Sequence, residues 1–389
     1  MRILNAINST NPAGGGPIES IVQAHLALKD QGHEIEAVCL DAPDSPWLSQ
    51  LPFRVHAAGP AATKYRYSPR YIPWLKQHAA EYDCVIVHGV WLFPSAGVWL
   101  ALRGSGTPYF VYSHGMLDPS FRRLFPLKHV AKSALWKLIE HRAMEQARAV
   151  FFTCEEERRL ARESFTPYRV KEAIIPYCVG MPPGDPDAQR RAFLGRWPEL
   201  PSKRIILFLS RIHPKKGCDA LIDAFSQMAA RDPALHLVMA GPDPIRWQES
   251  LQRRARDLGI ADRVTWTGML TGDLKWGAFR AAEAFALPSH QENFGIAVVE
   301  ALACGVPVLI SNRINIWREI GDDGAGLVSD PGAAAFAGNL AKWLSLDLAQ
   351  RQAMKHNAAR CFASRFRSDQ AAANLLQTLH NHGVADRGP

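Results

Sequence analysis

Short apolar runs recur along the chain, separated by stretches in which apolar residues return every three or four positions. In the first half the runs are Ile3–Ile7, Ile35–Leu40, Val85–His88, Tyr109–Ser113, Val150–Thr153 and Ala173–Ile175. Runs of four to six β-branched and aromatic residues predict strands buried on both faces, as in parallel sheets. Between them, Ile18–Gln31 and Phe125–Ala147 carry helical spacing. Strands alternating with helices predict a doubly wound α/β sheet. Pro and Gly then crowd Val179–Pro201, which reads as a linker with one short helix. A second alternation follows, with strands expected at Ile205–Ser210, His236–Ala240, Val264–Thr267, Ala284–Pro288, Val308–Ser311 and Gly326–Ser329. The last stretch, Ala333–His380, is helical in pattern. The expectation is an α/β chain of two such sheets in tandem: residues 1–180, a linker over 181–203, and residues 204–362. A C-terminal helix over 363–389 is expected to cross back to the first domain.

Composition narrows the class. The 389 residues are 47% hydrophobic and 21% charged, as in soluble globular proteins. No run approaches eighteen apolar residues, and Met1-Arg2-Ile3-Leu4-Asn5 turns polar too early for a signal peptide. Seven cysteines lie scattered without C-x-x-C pairs, which favours buried thiols of a reducing compartment over a metal site or disulfide frame. The cytoplasm is therefore the expected location. A net charge of +8 suits anionic lipid, nucleic acid or anionic substrates. No zinc-finger spacing, RNA-recognition signature or basic heptad accompanies it, so nucleic acid is the weakest of the three.

The densest chemistry lies in Ser289–Ser311, SHQENFGIAVVEALACGVPVLIS. A strand, a polar loop, a helix and a second strand are expected there, the crossover of a parallel sheet. The loop Asn293, Phe294, Gly295 and Ile296 opens the helix, and helix N-termini bind anions, phosphate above all. Glu292 and Glu300 flank that loop, and carboxylates accept hydrogen bonds from neutral hydroxyls. Phosphate beside hydroxyls describes a nucleotide sugar. Upstream, a strand ends in Ser210-Arg211-Ile212-His213-Pro214-Lys215-Lys216-Gly217, and two cations beyond a strand end suit a diphosphate. In the first half, Gly14, Gly15 and Gly16 follow a strand and Pro17 can open a helix. This is no dinucleotide fingerprint, because Cys39 closes the next strand where a ribose-binding acid is wanted. His114-Gly115 and His88-Gly89 each end a strand. Thr267-Gly268-Met269-Leu270 and Gly241-Pro242-Asp243 also follow strands, as pocket walls or plain turns.

Glu292 and Glu300, seven residues apart within ENFGIAVVEALACGVPVL, resemble the E-x7-E signature of retaining glycosyltransferases of the GT-B fold, family 4, of the bacterial polysaccharide type. The resemblance implies two Rossmann-like domains facing across a cleft, the second holding the nucleotide sugar and the first the acceptor. It implies that Arg211 and Lys216 meet the donor's phosphates and that Glu292 holds sugar hydroxyls. Glu300 would take the ribose, and Gly268, Met269 and Leu270 would meet the base. Gly15 and Gly16 would approach the phosphate, and His114 would lie near the reacting sugar. No Asp-x-Asp metal motif is seen, so neither metal nor cofactor is expected beyond the UDP- or GDP-linked sugar as co-substrate.

On the acceptor side, a saccharide or lipid-linked saccharide of exopolysaccharide or lipopolysaccharide assembly is expected. Within Phe121–Ala147, Arg122, Arg123, Lys128, Lys132 and Lys137 mix with Phe121, Phe125, Leu135 and Trp136. That mixture suits either an anionic membrane surface, at the inner face of the plasma membrane, or an ordinary amphipathic helix. Asn312–Ile320 departs from the small-residue loop common in the family. Competing readings are a nucleotide-sugar epimerase of similar architecture and a non-catalytic nucleotide-sugar-binding protein, with a dehydrogenase weakest of all.

Overall fold

The computed structural model describes residues 1–12, 15–124 and 126–386. The chain forms two compact units, Met1–Gly180 with Arg367–Pro389, and Met181–Phe366. In the first, seven strands are β1 (Arg2–Ile7), β2 (Glu34–Cys39), β3 (Val55–Ala57), β4 (Cys84–His88), β5 (Tyr109–Tyr112), β6 (Val150–Phe152) and β7 (Glu172–Ile174). They lie in the order β3-β2-β1-β4-β5-β6-β7, all parallel. In the second, β8 (Arg204–Leu209), β9 (Leu235–Ala240), β10 (Val264–Gly268), β11 (Ala284–Leu287), β12 (Val308–Ser311) and β13 (Gly326–Ser329) take the order β10-β9-β8-β11-β12-β13, again all parallel.

Both sheets are doubly wound, and each has one place where the chain reverses its direction of travel across the sheet. That place is β1/β4 in the first unit and β8/β11 in the second. Side chains at the carboxyl ends of such a strand pair open on a crevice where ligands bind. The strands form because their residues are buried on both faces: all of β9, β11 and β12 is buried, as is all of β5.

Several expectations are corrected. β3 was not expected; three half-buried residues at a sheet edge are too few for a periodic signal. The Pro- and Gly-rich stretch is not a linker, because it belongs to the second unit. Asp185 caps the helix Pro186–Arg196 by accepting from the Ala188 N–H, and Pro186 opens it. The buried Gln189 and Phe193 then seat this helix on Gly272–Ala281. A Cβ at Gly277 would stand 2.2 Å from the Gln189 carbonyl oxygen. Phe193 is fully buried, and truncating such a ring to alanine costs about 3–5 kcal/mol. The helix expected over 125–147 runs as Pro126–Leu135, a π-helical turn Trp136–Glu140, and His141–Gln146. The turn places Trp136 and Glu140 in the core together. Phe125 and the Arg123 side chain lie outside the described part. The helix Ser368–Asn381 belongs to the first unit, where it packs against Gly16–Leu28. All seven cysteines are free thiols, six of them buried.

Candidate functional site

The second unit's switch point is built from two loops. After β8 the chain makes a 3-10 turn, Pro214–Lys216, whose entry is capped by the His213 ring accepting from the Lys215 N–H at 3.2 Å. Gly217 leaves it with φ +69, and a Cβ there would stand 2.3 Å from the Pro288 carbonyl oxygen. Only glycine permits this loop to press against the end of β11. The His290 N–H donates to the Lys215 carbonyl at 2.8 Å, joining the loops a second time.

After β11 comes the loop to the helix Ile296–Ala303, which Gly295 enters at φ +76. Glu292 donates its N–H to the Arg313 carbonyl at 2.9 Å, and its own carbonyl accepts from the Asn315 N–H at 3.1 Å. Asn315 Nδ2 donates to Asn293 Oδ1 at 3.2 Å. The unusual segment Asn312–Ile320 therefore acts as a brace for the Glu292 loop. Phe294 is 1% exposed with its ring edge-on to Phe366, so only its main chain can meet a ligand.

Four charged side chains converge in pairs. The buried Lys216 ammonium binds the Glu292 carboxylate, and Lys275, on Gly272–Ala281, binds the Glu300 carboxylate. Lys275 Nζ also stands 4.6 Å above the Trp276 ring. Lys275 is a site residue the sequence reading missed. Its one signal is a basic residue on the helix just after Leu270, too common a pattern to single out. Burial, with Arg211 and Lys215 nearby, pushes the Lys216 ammonium down to about 8. The Glu292 carboxylate pulls the other way and keeps the pair ionic. Arg211 is exposed, two residues beyond the end of β8. Of the β10 turn, Gly268 has φ +68 and accepts from the Gly241 N–H at 2.8 Å. Met269 is 68% exposed and Leu270 is buried.

In the first unit, Gly15 caps and Gly16 opens the helix after β1, while Gly14 lies outside the described residues. At the ends of β4 and β5 a hydrogen-bonded chain runs through both histidines. His88 Nε2 lies 2.9 Å from Asn5 Oδ1, His88 Nδ1 lies 2.9 Å from His114 Nε2, and His114 Nδ1 lies 2.6 Å from the Tyr177 hydroxyl. Asn5 Nδ2 reaches the Glu36 carbonyl, which fixes the amide so that Oδ1 faces His88. Oδ1 accepts from His88 Nε2–H, so Nδ1 accepts from His114 Nε2–H, and His114 Nδ1 accepts from the Tyr177 O–H. Burial lowers His88 to about 3 and lowers His114 well below its usual range, so both are neutral. Both ring nitrogens of His114 are engaged, and its backbone sits at φ +51.

The turn that holds His114 depends on an acid the sequence reading missed. Buried Glu157 accepts from Ser113 Oγ and the Gly115 N–H, both at 2.6 Å, and from the Thr153 N–H at 2.7 Å and Oγ at 2.6 Å. Three glutamates in a row, Glu155–Glu157, conceal which one receives the Ser113–Gly115 turn. An acid also lies two residues beyond Cys39. Asp41 accepts from Ser9 Oγ at 2.6 Å, the Thr10 N–H at 2.7 Å and Trp47 Nε1 at 3.3 Å, so it braces the loop after β1.

The Phe121–Ala147 region presents a different face from the one expected. Trp136 is buried, whereas Leu127, Val130 and Leu138 are 85%, 68% and 66% exposed. Phe121, Lys128, His129 and Lys132 line a cavity of about 260 Å³, with Lys132 Nζ 4.7 Å from both the Trp91 and Phe121 ring centroids.

Comparison with known proteins agrees with this fold. The family described as "Glycosyl transferases group 1" matches residues 190–360, and the "Glycosyl transferase 4-like domain" matches residues 15–178. A D-inositol 3-phosphate glycosyltransferase of Rhodococcus opacus is 29% identical over 342 residues, covering 80% of this chain and 72% of that one. The sucrose-phosphate synthase of Thermosynechococcus elongatus superposes with a TM-score of 0.78 at 20% identity, over 98% of this chain and 99% of that one. Anabaena HepE, solved with UDP and glucose, superposes with a TM-score of 0.76 at 19% identity, over 98% and 100% of the two chains. The two units thus have the GT-B fold, and the chain belongs to the group 1 glycosyltransferases.

Proposed function

We propose that this glycosyltransferase moves a hexosyl unit, with retention at the anomeric carbon, from a nucleotide-diphosphate sugar to a saccharide or lipid-linked saccharide. The observation that carries the reading is the buried Lys216–Glu292 pair at the β8/β11 switch point. A diphosphate entering there exchanges the Glu292 carboxylate for phosphate oxygens on Lys216. Arg211 and the start of Ile296–Ala303 add positive potential. Released, Glu292 accepts from sugar hydroxyls, and Glu300 does the same for the ribose. These cationic groups stabilise the departing diphosphate with no metal required of the protein. The carrier is UDP or GDP: HepE was solved with UDP and glucose, and a Mycobacterium tuberculosis relative 30% identical over 218 residues is a GDP-mannose-dependent mannosyltransferase. Gly268, which ends β10, and Met269 and Leu270 just after it are assigned to the donor's base, as the sequence resemblance implies.

The reaction breaks the bond from the anomeric carbon to the phosphate oxygen and forms a bond to the acceptor oxygen on the same face. The acceptor's proton passes to the diphosphate. His114 does not serve as base, since both its nitrogens are engaged; it shapes the turn beyond β5. The acceptor is a saccharide or a lipid-linked saccharide. Exposed Leu127, Val130 and Leu138 beside lysines suit peripheral contact with an anionic bilayer at the inner face of the plasma membrane. A role in exopolysaccharide or lipopolysaccharide assembly follows from the sequence resemblance.

Incubation with UDP-glucose, alone and with saccharide acceptors, tests the reading. Acceptor-dependent UDP release with an α-linked product supports it. Isomerised sugar without acceptor would favour an epimerase.

A further inference from the structure

At the opposite end of β8, about 20 Å from Arg211 for a strand of this length, lies a second basic recess in the same unit. Its volume is about 290 Å³, and Arg190, Lys203, Arg204, Arg280 and Lys355 line it with Glu283 as the lone acid. The local acids are already engaged: Arg204 pairs with Glu283 and Asp232, and Arg351 also pairs with Glu283 at 3.2 Å. That group is neutral as a whole. Arg190, Lys203, Arg280 and Lys355 therefore add four positive charges around the recess, and among the described residues none of the four makes an ion pair or side-chain hydrogen bond. Arg280 Nε is buried without any partner.

A buried guanidinium N–H left unpaired is costly, and like charges gathered in one recess raise the cost further. Nothing in the donor chemistry uses these residues, which stand on Pro186–Arg196, Gly272–Ala281, Leu348–Cys361 and the residue before β8. Four separate elements supply cations to one concavity, Lys203, Arg280 and Lys355 half-buried and Arg190 exposed, an arrangement that suits an anionic ligand. The volume lies at the lower limit for small-molecule sites, which suits a pyrophosphate or a sugar phosphate and is too small to enclose a nucleotide sugar.

We propose that this recess is a binding site for a compact phosphate ligand, with Arg280, Lys203 and Lys355 as its principal contacts. Occupancy satisfies Arg280 Nε and offsets the four charges, so the ligand stabilises the second unit. The site is independent of the transfer reaction proposed above.

Inorganic pyrophosphate, titrated calorimetrically into the R211M/K216M variant, tests it with the donor site disabled. Pyrophosphate should bind that variant, and adding R280M or K203M/K355M should weaken binding about 10- to 100-fold for each charge-assisted hydrogen bond removed. R280K, which keeps the charge, should weaken binding about tenfold at most, since it forfeits only the planar fork. Flotation with phosphatidylcholine vesicles containing phosphatidylglycerol distinguishes sources. Arg280-dependent capture there makes the ligand a lipid headgroup, and binding of soluble pyrophosphate alone makes it a free phosphate. No pyrophosphate or vesicle binding to R211M/K216M, or binding unchanged by R280M and K203M/K355M, overturns the proposal. If instead wild type and R211M/K216M bind pyrophosphate alike, the donor site is misassigned while this one stands.

Discussion

The two switch points solve different physical problems. At β8/β11 the side chains are ionic and exchangeable, with Lys216 on Glu292 and Lys275 on Glu300. At β1/β4 and the neighbouring β5 they are neutral and closed on themselves, running from Asn5 through His88 and His114 to Tyr177. Burial keeps both histidines uncharged and raises Tyr177 far above its usual range. An ion pair can give up one partner to an incoming phosphate with charge conserved. A chain of neutral hydrogen bonds of fixed direction holds a shape instead. Under the proposed function, the ion pairs of the second unit serve the anion and the neutral chain of the first defines geometry.

The largest break in that comparison comes from the ionic end. Both K216A and E292A should lower kcat/KM by about 100- to 1,000-fold, the scale for losing one charge-stabilising group. Their folds should persist, measured by circular dichroism and thermal unfolding. Near-normal turnover in either contradicts the assignment of exchangeable pairs.

The next effect lies at the neutral end. E157Q keeps the shape but removes the charge that four donors share, and should destabilise the first unit by about 3 kcal/mol in urea unfolding. Unchanged stability would mean that the His114 turn is held by something else.

A third test uses pH. Burial raises the Glu140 carboxyl to about 7, with Ser95 Oγ donating to one oxygen at 2.7 Å and the other oxygen unpartnered. The folded state binds this proton more tightly than the unfolded chain does. Its stabilising contribution is complete below the ordinary carboxyl pKa and is lost as pH rises to about 7, by about 3 kcal/mol. E140Q should flatten that part of the stability–pH curve. A wild-type curve that is level or rising there, with no difference from E140Q, argues against a buried protonated acid.

The smallest effect sharpens the ionic end. UDP affinity should fall as pH rises through about 8, where Lys216 loses its proton, and K216R should remove the decline. A decline that persists in K216R points to another group.

Much of this architecture is legible in the sequence because buried parallel strands are unbroken apolar runs. Val308–Ser311 and Gly326–Ser329 match observed strands at both ends, and the other expected strands lie within about one residue at each end. The Pro-rich stretch misleads because Pro186 reads as a breaker, whereas Asp185-Pro186 opens a helix. Among site residues, the pattern around Glu292 is visible from local sequence alone. Lys275, Glu157 and Asp41 are not, because the partners that give them their roles are distant: Glu300 lies 25 residues from Lys275, Ser113 and Gly115 lie 44 and 42 from Glu157, and Ser9 and Thr10 lie 32 and 31 from Asp41. Local patterning carries the strands and loops; which charge meets which is decided only after the chain has folded.

The most direct test of the central claim is a crystal structure with UDP bound. The account predicts the diphosphate at the carboxyl ends of β8 and β11, with the Lys216 ammonium moved from Glu292 onto a phosphate oxygen. UDP bound elsewhere, with the Lys216–Glu292 pair unbroken, would contradict it.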